Sequence, residues 1–563
     1  MPLRPLAFAL SALLLAACGG SAPPAATVPA ADTAAAGTDV FIGTTEPFAS
    51  EAVYFVLTDR FVNGDPSNDQ REQGGELRTF DIPLKWEDGS VANIGYLGGD
   101  FRGLLDHADY IREMGFSALW ITPIVDNPDE AFTGGDEITQ TSILTDRGKT
   151  GYHGYWAKNF YRLDEHLPSA DLDFRQLTAA LRERGLKTVL DIVANHGSPA
   201  WTMPVDQPEF GRLYDAEGQL VASHDNLPPD QLDPANNPLH RFYNTEPDLA
   251  QLGDFSESNP ELMEYLIGAY EQWMGQGAYA FRVDTVGHMK PEFWAEFTRR
   301  IRERQPGFFM FGEIFSYEVD KVARFTHPEA GGISVLDFPL KEALKEVFES
   351  AESDFARLAS ALYLQDGPYA NPYDLMTFYD NHDMARMDAS DEGFINAHHW
   401  LFTARGIPVL YYGSEMGFKR GRAEHNGNRN YFGVEGIEAA RAHPIRQALI
   451  RVGGLRQRLP ALQRGLQFNL KLDGHEAAFY RVLQHEGLNQ TALVLLNKSG
   501  EPRRIALGEH LQPGIWTDAD SGETVEIGLE LRIEVPANGL RVLLFNAPLS
   551  EPGLLAALRA QAG

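Results

Sequence analysis

Short apolar runs alternate with charged stretches of helical spacing along most of the chain. Eight runs read as strands: Ala52 to Thr58, Ala118 to Thr122, Thr188 to Val193, Tyr279 to Val283, Phe308 to Gly312, Ser334 to Phe338, Leu375 to Tyr379 and Pro408 to Tyr412. Amphipathic segments such as Leu177 to Arg184, Glu261 to Met274 and Lys341 to Glu349 lie between several of them. Eight strands with helical connections predict an α/β fold, a closed (β/α)8 TIM barrel, with an open doubly wound sheet as the alternative of similar periodicity.

Two regions break the rhythm. Residues 197–259 are rich in Pro, Asp, Asn and Gly with little helical pattern, which predicts a small irregular domain inserted after the third strand. From about Leu466 the chain turns to short alternating segments, Ala477 to Arg481, Thr491 to Leu496 and Arg541 to Phe545, which predict a closing antiparallel β-sandwich. The expected division is a barrel over 46–196 and 260–460, an inserted domain over 197–259 and a β domain over 461–563. No repeat at a solenoid period is visible.

The N-terminal end follows neither pattern. After Arg4, Leu6 to Ala17 is almost wholly apolar and closes on Leu15-Ala16-Ala17-Cys18-Gly19. The run is too short to span a membrane comfortably and reads as a signal peptide over 1–17. Residues 18–45, nearly all Ala, Pro, Thr, Gly and Ser at first, read as a flexible linker.

Composition narrows the chemistry. Cys18 is the only cysteine, so the body holds no disulfide and no thiolate metal site. A net charge of -31 argues against a nucleic-acid partner and against attraction to anionic lipid. No glycine-rich phosphate loop follows the early strands, which argues against a nucleotide. A neutral substrate suits this charge, and bunched carboxylates suit calcium. A monomer is expected.

In a barrel the strand ends share one mouth, and four of them carry unusual polar content. The third holds Asp191, Asn195 and His196; the fourth Arg282 and Asp284; the fifth Glu313; the seventh Tyr379-Asp380-Asn381-His382-Asp383. Each alone reads as easily as a helix cap, a salt bridge or a core histidine. Together they point to glycoside hydrolysis, which needs one charged carboxylate to attack and another to carry a proton. Arg282, two residues from Asp284, would keep that carboxylate ionised and oriented as the nucleophile. Glu313, after the apolar Phe308 to Phe311, is the expected proton donor. Asp383 would hold sugar hydroxyls more tightly in the transition state. His196 and His382 are expected to contact the same sugar, and Tyr152-His153-Gly154-Tyr155-Trp156 adds stacking surface. The expected substrate contacts are Arg282, Asp191, His196, His382, His153, Tyr155 and Trp156.

Four segments, DIVANH at 191–196, FRVDTVGH at 281–288, FGE at 311–313 and FYDNHD at 378–383, resemble the hallmark segments of the α-amylase family of retaining glycosidases, across roughly Ala52 to Phe545. The resemblance implies the same roles for Asp284, Glu313 and Asp383. It implies a calcium held by Asn195, Asp254 and the carbonyl of His288. A second calcium site resembles that of cyclodextrin glucanotransferases, its ligands matching Asn63, Asp65, Asn68, Asp69, Gly98 and Asp100. The expected reaction is hydrolysis of α-1,4-glucosidic bonds in maltooligosaccharides or starch-like glucans, with transglycosylation or cyclodextrin cleavage as the alternative and a non-catalytic glucan-binding protein behind both. Two features weigh against cyclisation: Ala250 stands where the glucanotransferases place a central aromatic, and further modules are absent. The first residues resemble a bacterial lipoprotein signal in which Cys18 becomes the lipidated residue, a plain secretory peptide being the alternative. Gly19 in place of aspartate goes, in such lipoproteins, with the outer membrane, on its periplasmic or outer face.

Overall fold

The computed structural model describes residues 39–562, so the predicted signal segment, Cys18 and most of the linker lie outside the described residues. Eight parallel strands form one sheet: β1 Val53–Val56, β2 Ala118–Ile121, β3 Lys187–Ile192, β4 Ala280–Val283, β5 Phe309–Gly312, β6 Ser334–Val335, β7 Met376–Thr377 and β8 Ile407–Tyr411. Their order is β6-β5-β4-β3-β2-β1-β8-β7, and a parallel bridge from Leu336 to Met376 joins the two edges. The barrel is closed, and every predicted strand run overlaps one of its strands, β3 and β8 each starting one residue earlier than the run. All residues of β1, β2, β4, β5 and β8 are buried. Strands covered on both faces are necessarily continuous apolar runs, which is why they stand out in the sequence.

Helices Phe174–Glu183, Pro260–Gly275, Pro291–Arg304, Phe338–Phe348, Asp391–Thr403 and Pro444–Arg458 pack outside the barrel. Their starts are written locally. Asp173 accepts from Gln176 N while Gln176 Oε1 accepts from Asp173 N, a reciprocal capping box. Asn259 caps a helix that begins on Pro260.

The inserted segment departs from the barrel on His196–Pro199, which pairs antiparallel with Leu252–Asp254, and it carries a hairpin of Arg212–Tyr214 and Leu220–Ser223. Its first strand thus starts on a candidate site residue. Beyond the barrel, strands 466–473, 476–485, 488–497, 539–545, 514–518 and 524–527 lie in that order in one antiparallel sheet, accompanied by a ladder of 503–507 with 531–535.

The closing β domain ends in a helix, Pro552–Ala562, whose Leu554 and Leu558, one turn apart, enter the sandwich core beside Trp516. One expectation is corrected. The linker stops short of Thr45: Phe41 is buried in that same core, its N–H and C=O bond Gln484, and Gly43 N–H donates to Arg464 C=O at 2.8 Å.

Candidate active site

Parallel pairing places Arg282 opposite both Asp191 of β3 and Phe311 of β5. Side chains two apart on a strand share a face, so Arg282 and Asp284 point together into the barrel, and Glu313, two beyond Phe311, comes alongside. The ladder runs on past the strands, with Glu313 N–H donating to Val283 C=O and Asp284 N–H to Ile192 C=O. Gly312 is required here. A Cβ on it would stand 2.5 Å from Val286 Cγ2, closer than carbon atoms pack.

The wholly buried Arg282 binds three carboxylates. Its Nη1 donates to Asp191 Oδ1 at 2.9 Å and to Asp284 Oδ1 at 2.7 Å. Its Nη2 lies 2.9 Å from Glu313 Oε2 as an ion pair outside hydrogen-bond alignment, and Glu313 Oε1 is buried without a partner. Burial pushes the Glu313 carboxyl up to about 8 against the pull of Arg282, with Asp383 and Asp284 adding to the rise. A carboxyl of this kind keeps its proton at neutral pH.

Asp191 does not face a sugar. Its Oδ2 accepts from Trp120 Nε1 at 2.9 Å and Tyr155 Oη at 2.8 Å, and Arg282 takes Oδ1, so the group is enclosed by donors; burial pushes it up to about 7. Its work is to fix Arg282. The Trp156 ring packs edge-on against Phe132 and Phe210 in an apolar cluster with Met203 and Leu252, so the inserted segment fixes its position.

Asp383 comes to the site from the segment after β7. Its Oδ1 accepts from Arg429 Nη2 at 2.7 Å and its Oδ2 lies 3.2 Å from His382 Nε2. Burial raises its carboxyl, opposed by Arg429 and Arg282. The His382 ring stacks on Tyr155 at 5.5 Å and is held neutral by burial and Arg429. His153 accepts from Tyr155 N–H on Nδ1 at 3.1 Å, and burial lowers its basicity strongly. His196 is buried with Nδ1 free and is pushed down to about 4 by burial, leaving a neutral imidazole for a neutral ligand. Arg429 had no sequence signal, since a single arginine between Asn428 and Asn430 belongs to no periodic or charged pattern.

The residues expected to hold calcium are brought together in two places. Near the barrel mouth Asn63 Nδ2 donates to Asp69 Oδ1 at 2.6 Å, and the Asp100 carboxylate accepts from Gly64, Asp65 and Gly103 N–H at 3.1, 2.7 and 2.7 Å. Gly98 has a φ of 86°, and a Cβ there would meet Asn63 Nδ2 at 2.2 Å. Asn63 Oδ1 and Asn68 Oδ1 are buried without partners, which leaves hard oxygen donors pointing at nothing. Asp65 is half-buried, its carboxylate turned to Ser67 Oγ and N–H, which hold it low. At the inserted segment, Asp254 Oδ2 accepts from Asp248 and Leu249 N–H at 2.9 and 3.1 Å, while Asp254 Oδ1 and the Asn195 amide nitrogen are buried and unpartnered. The His288 ring contacts the same segment, its Nδ1 2.9 Å from Asp248 Oδ2. The buried, unpartnered oxygens of the two sets, Asn63 Oδ1 and Asn68 Oδ1 in one and Asp254 Oδ1 in the other, suit a hard divalent cation. Further acidic clusters, Asp126 with Asp129 and Glu165 and Asp164 with Glu165 and His166, were not anticipated; Lys158 already counters the first, 2.6 Å from Asp129 and 3.5 Å from Asp126.

Comparison with known proteins agrees with this geometry. Residues 55–447 match the family model described as alpha amylase, catalytic domain. The chain is 27% identical over 537 residues to a cyclomaltodextrin glucanotransferase of Klebsiella oxytoca, covering 85% of this chain and 75% of that one. It is 31% identical over 403 residues to one of Niallia circulans, covering 68% and 52%; the chain thus spans about half the length of that relative. Among solved structures it resembles an Anoxybacillus alpha-amylase (TM-score 0.68, 26% identity, 90% and 99% covered). It also resembles a cyclomaltodextrin glucanotransferase described as the first with a three-domain ABC distribution (TM-score 0.70, 29% identity, 88% and 99% covered). A glucanotransferase of that layout removes the weight that missing modules carried against such an activity. The chain belongs to the alpha-amylase family.

Proposed function

We propose that the protein is a retaining glycosidase that hydrolyses α-1,4-glucosidic bonds in maltooligosaccharides or starch-like glucans. The observation that carries this is one guanidinium joined to two carboxyls in unlike states, aligned on Asp284 and misaligned on a desolvated Glu313. In the first step Asp284 attacks the anomeric carbon, the glycosidic bond breaks, and Glu313 gives its proton to the departing oxygen. In the second Glu313 takes a proton from water, which attacks the same carbon and releases Asp284. Asp383 stabilises the positive charge that develops on the ring between them, and the neutral His196 and His382 bind its hydroxyls.

The second reading is transfer to another sugar in place of water. The glucanotransferase relatives favour it, as do Phe315 and Tyr317, large exposed rings two and four residues beyond the proton donor where an acceptor sugar would stack. Product analysis on maltoheptaose, α-cyclodextrin and soluble starch separates the two. Shorter linear products alone are expected, and longer or cyclic ones would assign the chain to transfer.

Calcium at both donor sets, Asn195, Asp254 and His288, and Asn63, Asp65, Asn68, Asp69, Gly98 and Asp100, belongs to this proposal; bound there it would neutralise clustered carboxylates and tie the loops to the barrel. So does export with a lipid on Cys18 and residence at the outer membrane, supported by the apolar run before Cys18 and by Gly19. Among the described residues no helix is long and apolar enough to cross a membrane.

A further inference from the structure

A line of buried side chains of alternating charge runs outward from Asp383. Beyond the 2.7 Å contact of Asp383 with Arg429 Nη2, Arg429 Nη1 meets Glu424 Oε1 at 2.8 Å. The same Glu424 oxygen accepts from Lys149 Nζ at 3.0 Å, and Lys149 Nζ stands 2.7 Å from Asp146 Oδ1. Gln251 Nε2 closes the line on Asp146 Oδ2 at 2.5 Å. The members come from the segments after β2, β7 and β8 and from the inserted segment. Side-chain exposure is 30% at Asp383 but only 8, 17, 6 and 10% at Arg429, Glu424, Lys149 and Asp146.

We propose that Lys149 and Glu424 are positioning residues for Asp383, acting through Arg429. An arginine side chain is long and has several rotamers, so its end must be fixed if it is to aim one nitrogen at one carboxylate oxygen. Arg429 is held by four partners: Glu424 and, at 3.4 Å, Tyr152 Oη on Nη1, the His382 carbonyl on Nε at 3.0 Å, and Asp383 on Nη2. Glu424 cannot hold it alone, because a buried carboxylate between two cations is set by both. Without Lys149 the Asp146 carboxylate is unpaired and Glu424 is free to follow it; without Glu424 two buried cations face each other and repel. In either case Arg429 moves and takes Asp383 with it. Neither residue contacts a catalytic carboxylate, so the loss falls on the transition state that Asp383 serves and not on ground-state sugar binding. This rests on the proposed glycosidase reading.

The experiment compares Lys149→Met, Glu424→Gln, their double and Lys149→Arg, by kcat and KM on maltoheptaose, by thermal melting, and by maltoheptaose binding in an Asp284→Asn background. Expected is a fall in kcat of about 10- to 100-fold for both single variants with KM within about 3-fold, unchanged binding in the Asp284→Asn background, and recovery of most of the rate in Lys149→Arg. The double is no worse than Glu424→Gln, because both act through one arginine. Wild-type kcat in the folded variants, or a rise in KM as large as the fall in kcat, overturns the proposal. Should Lys149→Met fail to fold, Lys149→Met with Glu424→Met removes both charges together, and wild-type kcat in that protein overturns it equally. If the unaltered enzyme turns over no α-glucan at all, the parent reading fails instead.

Discussion

One guanidinium serves two carboxyls that must behave oppositely, and the difference lies in alignment and burial. Arg282 Nη1 is aligned on Asp284 with a hydrogen bond of 2.7 Å, whereas Nη2 sits off-line from Glu313, whose second oxygen has no partner. Because the Glu313 carboxyl is pushed up to about 8, it is protonated at pH 7 and loses its proton as pH rises through that value. The alkaline limb of kcat/KM is therefore expected near pH 8. Glu313→Gln lowers kcat by about 10²- to 10⁴-fold, removes that limb, and harms an activated aryl glycoside much less than maltoheptaose, since a good leaving group needs no proton. Asp284→Asn, which removes the attacking oxygen without changing the hydrogen-bond shape, abolishes turnover on both substrates; substantial residual rate on either would reject its role as nucleophile.

At the scale of elements, strands that are buried on both faces were legible because their burial leaves no polar alternation, and the residues at their ends were legible because they interrupt apolar runs. Arg282, Asp284 and Glu313 were read on that ground. Asp191 was found as a polar interruption too, yet its partners Trp120 and Tyr155 come from other segments, so its confinement was invisible. Arg429, Glu424 and Lys149 lie in irregular stretches where no period sets an expectation, and only the closed barrel brings them together. The packing of Trp156 against the inserted segment was equally hidden, because its neighbours Met203, Phe210 and Leu252 lie far along the chain. That same segment depends on Asp254, whose free oxygen is buried in a site that nothing in the described chain neutralises directly. Chelation with EDTA is expected to lower the melting temperature, and restoring calcium to about 100 times its Kd to return about 2.7 kcal/mol. Asp254→Asn, which needs no counter-charge, should melt at the same temperature with and without chelator if this is the dominant calcium site; an undiminished chelator effect would assign the dependence to the Asn63–Asp69 loop.

For the whole molecule, the question is whether the N-terminal segment is part of the catalytic body or only attached to it. Phe41 is buried among sandwich residues, and Thr44 Oγ1 donates to Asp374 at 2.5 Å, so the fold takes hold of its own chain at that point. Among the described residues the buried apolar residues of the barrel core begin at Phe48. A lipid on Cys18 would then act on location and leave chemistry alone. Cys18→Ala removes the thiol on which such a lipid must be built, and the protein should move from the membrane fraction to the soluble exported fraction with kcat and KM on maltoheptaose unchanged. Retention in the membrane fraction would reject the anchor and leave a plain secretory signal. A soluble protein with altered kcat would mean that the segment before Phe41 touches the site. Protease treatment of intact cells carrying the unaltered protein then reports the face: digestion assigns the outer surface, and protection until the outer membrane is opened assigns the periplasmic side.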